Sequence, residues 1–320
     1  MRKKIKYIIL TIVFIFCIDQ ILSIYLSSVY EKNFCTHAGG DLNAYLNGKP
    51  KDIVLVGSSR VYTMINPDLL GKSAVNISKP AKHLYYNIAV VNLMHQYKKM
   101  PNKMLIFNLE VEDIYQNNKK RLIEDVSYLK YYYYSNDMIR SIINKRGALE
   151  KYKYLFSSYR FNGENFTIVT NPFQKICTTS KNGFFPKMKS DGDSVRLFSG
   201  IKEMKAIKLS GINSEFFIKL NHLKKLCKLN NIQLVVINGP NYFLPKLFKK
   251  GSLMIQKYCT INNIKYIDFS LKYSYLFKKS NLWYDHIHLN NIGAEKYTLL
   301  LKKELKDLKK SATKNCSIVH

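Results

Sequence analysis

Apolar residues along the chain fall into three patterns. A mostly apolar run from about Tyr7 to Leu26, interrupted mainly by Asp19-Gln20, is close to the ~20 residues a helical membrane span needs. Farther on come short apolar stretches with the length of buried strands: the piece beginning at Ile53, Ala74 to Ile77, Lys103 to Leu109, Gln233 to Ile237 and Ile264 to Phe269. Between them the period changes to that of helices. Leu84, Ile88, Val91 and Met94 share a face within residues 83–99, and Tyr297, Leu301, Leu305 and Leu308 do so after residue 290. Further helices are predicted from about Ser214 to Leu229 and around Leu253 to Ile261. Alternation of strand and helix predicts an α/β domain whose parallel sheet is covered on both faces.

Residues from about 114 to 210 break this alternation and read as a long insertion after the third strand. Within it stand the tyrosine run Tyr131 to Tyr134, the stretch Tyr159-Arg160-Phe161-Asn162-Gly163, and Asn182-Gly183-Phe184-Phe185-Pro186. Aromatic rings beside polar turns can form a glycan-binding lid, or they can pack the insertion against the main domain. The organisation expected is an anchor over residues 1–28, a polar stalk over 29–50, one principal domain over 51–309 and a polar tail over 310–320.

Cations at Arg2, Lys3, Lys4 and Lys6 precede the apolar run and place its amino end in the cytoplasm, so the domain is expected outside, held to the cytoplasmic membrane by one uncleaved span. A cleaved signal peptide is the competing reading, but Ser23 to Ser28 offers no small-x-small site. Asp19 is either the contact of an anchor with a multi-span partner or a carboxyl group that lies near the outer interface or is protonated.

The net charge of +29 raises the question of nucleic acid. The lysines are scattered over every segment, arginine is scarce, and no zinc-finger spacing, heptad-linked basic region or RNP-like motif occurs, so no nucleic-acid partner is expected. Solvated lysine faces, with attraction to anionic headgroups or wall polymers, account for the charge. Six cysteines, at 17, 35, 177, 227, 259 and 316, show neither Cys-x-x-Cys nor zinc-like histidine spacing; no metal or cofactor is expected. Cys227 and Cys259 fall on apolar helix faces and read as core residues.

The candidate chemistry lies in two short stretches. In Asp285-His286-Ile287-His288-Leu289-Asn290-Asn291, an acid and a histidine stand three residues apart just before a helix that Asn290 or Asn291 can cap. A carboxylate there can reach back to the imidazole, fix its tautomer and stabilise its protonated form. His288 is the favoured base because of this spacing, with His286 second. Far upstream, the strand from Ile53 runs into Gly57-Ser58-Ser59-Arg60, which puts Ser59 at a strand's carboxyl end, where open α/β sheets bind ligands.

Together these stretches resemble the SGNH (GDSL-like) hydrolases, in which a Gly-x-Ser turn after the first strand meets a late Asp-x-x-His before the last helix. A single span followed by a Gly-Ser-Ser turn is similar, more narrowly, to the membrane-anchored branch that includes the D-alanine transfer protein of teichoic acids and the alginate O-acetylation proteins. The resemblance implies a three-layer αβα, flavodoxin-like sheet of five parallel strands, with Ser59, His288 and Asp285 as a catalytic triad. It also implies an oxyanion hole from the Ser59 N–H, a backbone donor at Ala81 or a neighbour where the family has glycine, and the side chain of Asn108. Arg60, Asn238 and Asn241 are candidate substrate contacts, since their loops open at the same sheet edge. The expected activity is O-acylation, chiefly acetylation, of a cell-surface polysaccharide or wall polymer through an acyl-Ser59 intermediate, beside a multi-span membrane-bound O-acyltransferase. A carbohydrate esterase of the same fold and a non-catalytic assembly factor are the alternatives.

Overall fold

The computed structural model describes residues 2–32, 40–163, 169 and 181–316. The short apolar runs form a single sheet because each can be covered on both faces. The strands are β1 (Ile53–Val56), β2 (Ala74–Asn76), β3 (Met104–Asn108), β4 (Gln233–Asn238) and β5 (Lys265–Asp268). All pairings are parallel, in the order β2-β1-β3-β4-β5. This is the flavodoxin-like order, and it puts β3 at the centre between β1 and β4. In register, Ile53 lies opposite both Ala74 and Met104.

The helices in chain order are α1 (Arg2–Glu31), α2 (Gly40–Asn47), α3 (Ser59–Met64), α4 (Pro67–Leu70), α5 (Leu84–Gln96), α6 (Lys119–Asp125), α7 (Asp137–Asn144), α8 (Glu150–Lys153), α9 (Asp193–Ala206), α10 (Ser214–Leu229), α11 (Lys246–Ile261), α12 (Phe269–Lys272) and α13 (Asn291–Cys316). Because side chains alternate across a strand, Val54 and Val56 belong to one core with Leu84, Ile88, Phe216 and Ile255, while Leu55 belongs to the other with Val61, Met64, Tyr297 and Leu301. Helices α5, α10 and α11 therefore cover one face, and α3 and α13 the other. Three layers result. Helix α11 begins at Lys246, earlier than its predicted core, because Pro245 presets the backbone just before it. Helix α13 continues to Cys316, through the first residues of the expected tail.

Where the sequence suggested a polar stalk, the described residues include a packed helix. Helix α2 buries Leu42, Tyr45 and Leu46, and the Tyr45 hydroxyl donates to the Lys99 carbonyl at 2.7 Å. The insertion, in its described part, adds no strand to the sheet and is a set of short α and 3-10 turns. Tyr131, Tyr132 and Tyr133 of its tyrosine run pack inward, while Tyr134 is exposed. Tyr131 stacks on Tyr30 at the end of α1 with ring centroids 4.0 Å apart, and Tyr132 donates to Asn43 of α2 at 2.9 Å. Cys227 and Cys259 are buried free thiols, while Cys35 and Cys177 lie outside the described residues.

Helix α1 is long and apolar enough to cross a membrane, and its residues 5–18 are exposed. Asp19, within the same helix, is buried by its own chain. It accepts from the Ser157 N–H at 2.6 Å and the Ser158 N–H at 3.1 Å, the first residues of a 3-10 turn over Ser157–Phe161. Arg160 of that turn donates to Ser23 Oγ at 3.1 Å and to Ser27 Oγ. The carboxylate thus has partners in cis, which neither sequence reading of Asp19 included.

Candidate active site

The serine is placed by a turn that admits no side chain at its first position. A Cβ on Gly57 would sit 2.5 Å from Val61 Cγ2 and 2.8 Å from Asn108 Cβ, so only glycine lets β1 pass this closely into α3. Ser58 then caps α3, its Oγ accepting from the Arg60 N–H at 3.2 Å and donating to Glu110 Oε1 at 2.5 Å. Ser59 is the first residue of the helix and half-buried at the carboxyl edge of the sheet.

The histidine and the acid come from the segment between β5 and α13. Trp283 is fully buried, donates its indole N–H to the Phe277 carbonyl at 2.8 Å, and bridges antiparallel to Leu289. That bridge closes a tight loop over residues 284–288. Inside it, Asp285 Oδ1 accepts from the backbone N–H groups of Ile287 and His288, both at 2.8 Å, while Oδ2 lies 2.8 Å from His288 Nδ1. Asn290 Oδ1 accepts from the Gly293 N–H at 3.2 Å, which makes Asn290 the side-chain cap at the start of α13. A strap from the insertion holds the outside of the loop: the Asn291 N–H donates to the Lys187 carbonyl at 2.7 Å, and the Phe185 N–H to the Tyr62 carbonyl of α3 at 3.0 Å.

These elements bring Ser59, His288 and Asp285 together. His288 Nε2 lies 2.8 Å from Ser59 Oγ. With Nδ1 carrying the proton toward Asp285, Nε2 presents its lone pair to the serine hydroxyl, the arrangement a general base requires. Burial alone would raise the Asp285 pKa. The imidazole and the two backbone N–H groups outweigh burial and lower it to about 2, so the carboxylate stays charged beside the imidazole. His286 points elsewhere: its ring lies against Gly200 of α9, and burial lowers its pKa despite Asp285 nearby.

The remaining candidates have other places. Arg60 is buried and turned inward, donating to Glu110 Oε2 at 3.0 Å, to Asn241 Oδ1 at 3.2 Å and to the Pro240 carbonyl. Asn241 is also buried, and Asn238 donates to Asp268 Oδ1 at 3.1 Å and Ser270 Oγ at 3.0 Å. In this structure these three, read from sequence as substrate contacts, tie the loops after β1, β3, β4 and β5 to one another. Asn108 donates to Glu110 Oε1 at 2.8 Å and sits against Gly57, its amide engaged below the turn. Ala81 is exposed at φ +56°, in the left-handed region that favours glycine.

Glu110 was not singled out in the sequence. It accepts from Ser58, Arg60 and Asn108 at once, and these partners overcome the burial that would raise its pKa and hold it low. A carboxylate two residues past a fully buried strand was the available signal. His83 directly precedes α5 and pairs with Asp113 at 3.3 Å. Among the described residues, no three His, Cys, Asp or Glu converge as metal ligands would.

No family model matches the chain, and no curated protein does. Among solved structures, it is similar to the crystal structure of a candidate acylhydrolase from Bacteroides fragilis, with a TM-score of 0.43 and 13% identity over 85% of this chain and 98% of that one. A likeness of that degree carries no weight for function, which has to be read from the site.

Proposed function

We propose that this chain is a membrane-anchored, extracytoplasmic serine acyltransferase that moves an acyl group, chiefly acetyl, onto a hydroxyl of a cell-surface polysaccharide. The observation that carries the proposal is the unbroken line from Ser59 Oγ to His288 Nε2 and from His288 Nδ1 to Asp285, each link at 2.8 Å. In the proposed reaction Ser59 Oγ attacks the acyl carbonyl as its proton passes to His288 Nε2. The N–H of Ser59, first in α3, and that of Ala81 are the expected donors to the oxyanion. Collapse of the tetrahedral intermediate expels the donor alcohol, which takes the proton from His288, and leaves acyl-Ser59. In the second half, His288 deprotonates the incoming hydroxyl, which attacks acyl-Ser59 and regenerates the serine. Asp285 orients the imidazole throughout and stabilises its charged form.

Water as the acceptor would make the same site an esterase. Transfer is favoured by the setting. The cations ahead of the apolar run orient α1 with its amino end inside, so the domain stands at the outer membrane face, where polymer is modified and where a multi-span O-acyltransferase partner could supply acyl groups. The test is full-length protein in nanodiscs with an activated acetyl ester and a soluble glycan acceptor. Acetylated glycan formed by wild type and absent with Ser59→Ala supports transfer. Acetate released at the same rate with and without glycan makes the protein an esterase, and polymer modification in cells that survives Ser59→Ala makes it an assembly factor.

A further inference from the structure

We infer that the chain touches the membrane at a second place, with the segment around α8 lying in the same leaflet as the outer half of α1. The inference rests on the reading of α1 as a membrane span. It starts from four apolar side chains that face outward: Leu149 and Leu155 are 70% and 64% exposed, Tyr152 and Phe156 53% and 48%. All four fall within eight residues of chain, close to the turn that Asp19 holds.

The depth of this patch is set by Asp19. Lys3, Lys4 and Lys6 hold the amino end of α1 at one membrane surface, and a span starting at Tyr7 and stopping before Asp19 would have only about 12 residues, roughly 18 Å, against the ~30 Å of hydrocarbon. Asp19 must therefore lie within the membrane. The helix stays apolar and exposed beyond it, at Ile21, Ile24 and Tyr25, and a span ending near Ile24 puts Asp19 about 7–8 Å inside the hydrocarbon edge. At that depth a bare carboxylate and unpaired backbone N–H groups are both costly. The structure joins them instead: Ser157 and Ser158 donate their N–H groups to Asp19. Ser157 is thereby fixed at the depth of Asp19, and Leu155 and Phe156, two residues and one residue earlier, share that level. Exposed Lys151 stands beside the patch, where its ammonium group can reach headgroups, while Lys153 donates to Glu150 at 2.6 Å. The occupant is thus lipid: the acyl chains of the leaflet on the domain's side.

The consequence is orientation. A domain held by one helix is free to swing, whereas contact at α1 and again around α8 fixes the domain's tilt toward the membrane surface. Depth-dependent quenching of tryptophan tests this on the full-length chain in nanodiscs of phosphatidylcholine brominated at shallow or deep acyl positions. Trp283 is the only tryptophan and is fully buried, so it gives a quiet background. Leu155→Trp and Phe156→Trp are expected to be quenched at least twofold more than wild type, most by the shallow bromines, and Ile12→Trp most by the deep ones. Quenching of Ile12→Trp with none at either Leu155→Trp or Phe156→Trp would overturn the second contact alone and leave the patch to a protein partner or a second copy. Absence of quenching at all three would overturn the span reading and this inference with it.

Discussion

His288 Nε2 lies 2.8 Å from Ser59 Oγ, across a sequence separation of 229 residues. Such a contact is held by what stands behind each group. Behind the serine are the Gly57 turn, the Ser58 cap and Glu110; behind the histidine are Asp285, the Trp283–Leu289 bridge and the cap at Asn290.

Ser59→Ala and His288→Ala are each expected to lower turnover by about 10³–10⁶-fold, and the double variant by little more, because the two act as one unit. Thermal midpoints should stay within a few degrees of wild type. Asp285→Asn differs, since the acid also caps its own turn: turnover is expected to fall by about 10⁴-fold, with a stability loss of about 1 kcal/mol. Steady-state kinetics and thermal unfolding on the same samples check both parts.

The Arg60–Glu110 pair is buried, and breaking one side leaves the other charge without a partner. Arg60→Met is expected to cost about 3–5 kcal/mol, and the double variant Arg60→Met/Glu110→Gln clearly less than the single. Guanidinium unfolding of the four proteins of this cycle measures it. A role for Arg60 in substrate binding would instead raise KM at unchanged stability.

Two positions in the left-handed region make a matched test. At Ala81, φ is +56° and the side chain is exposed, so Ala81→Gly relieves strain and is expected to be neutral or stabilising by up to ~1 kcal/mol, with turnover retained because the N–H remains. At Gly183, φ is +78° and a Cβ would fall 1.7 Å from the Asn76 carbonyl oxygen. Gly183→Ala should therefore destabilise by about 2–4 kcal/mol and loosen the strap over α3. Unfolding midpoints of the two variants should move in opposite directions, or only the second should move.

Stability should depend on pH at both ends of the range. Asp285 has a folded pKa lowered to about 2, so its contribution is present above the ordinary carboxylate range and is lost as pH falls from about 4 through 2. His83 goes the other way. Burial lowers its pKa, but Asp113 outweighs burial and pushes it up to about 9, so that contribution is full below about pH 6.5 and is lost as pH rises through 9. His83→Gln should flatten the alkaline limb of the stability profile, and Asp285→Asn the acid limb, in unfolding experiments run from pH 2 to 10.

The strands and the two site motifs were readable because each is local: a buried strand needs only a short apolar run, and an Asx turn with Asp285 and His288 only four consecutive residues. The parallel sheet covered on both faces followed from the alternation of strand and helix, and its five-stranded, flavodoxin-like order from the resemblance. What escaped were pairings made at a distance. Nothing near Arg60 announces Glu110 fifty residues on, and polar side chains at loop positions, such as Asn238 and Asn241, look the same in sequence whether they face a substrate or one another. Asp19 finds Ser157 and Ser158 nearly 140 residues away. In α2, Leu42, Tyr45 and Leu46 do have helical spacing, but glycine and polar neighbours masked one turn of amphipathic helix as linker.

Acyl transfer by this site requires Ser59 to be an activated nucleophile. The most direct measurement is covalent labelling by a serine-directed fluorophosphonate of the full-length chain in nanodiscs, comparing wild type with Ser59→Ala and His288→Ala. An activated Ser59 takes one label on wild type, mapped to Ser59 by peptide mass, and leaves none on either variant. Folded wild type that takes no label, or a label that survives Ser59→Ala, would contradict it.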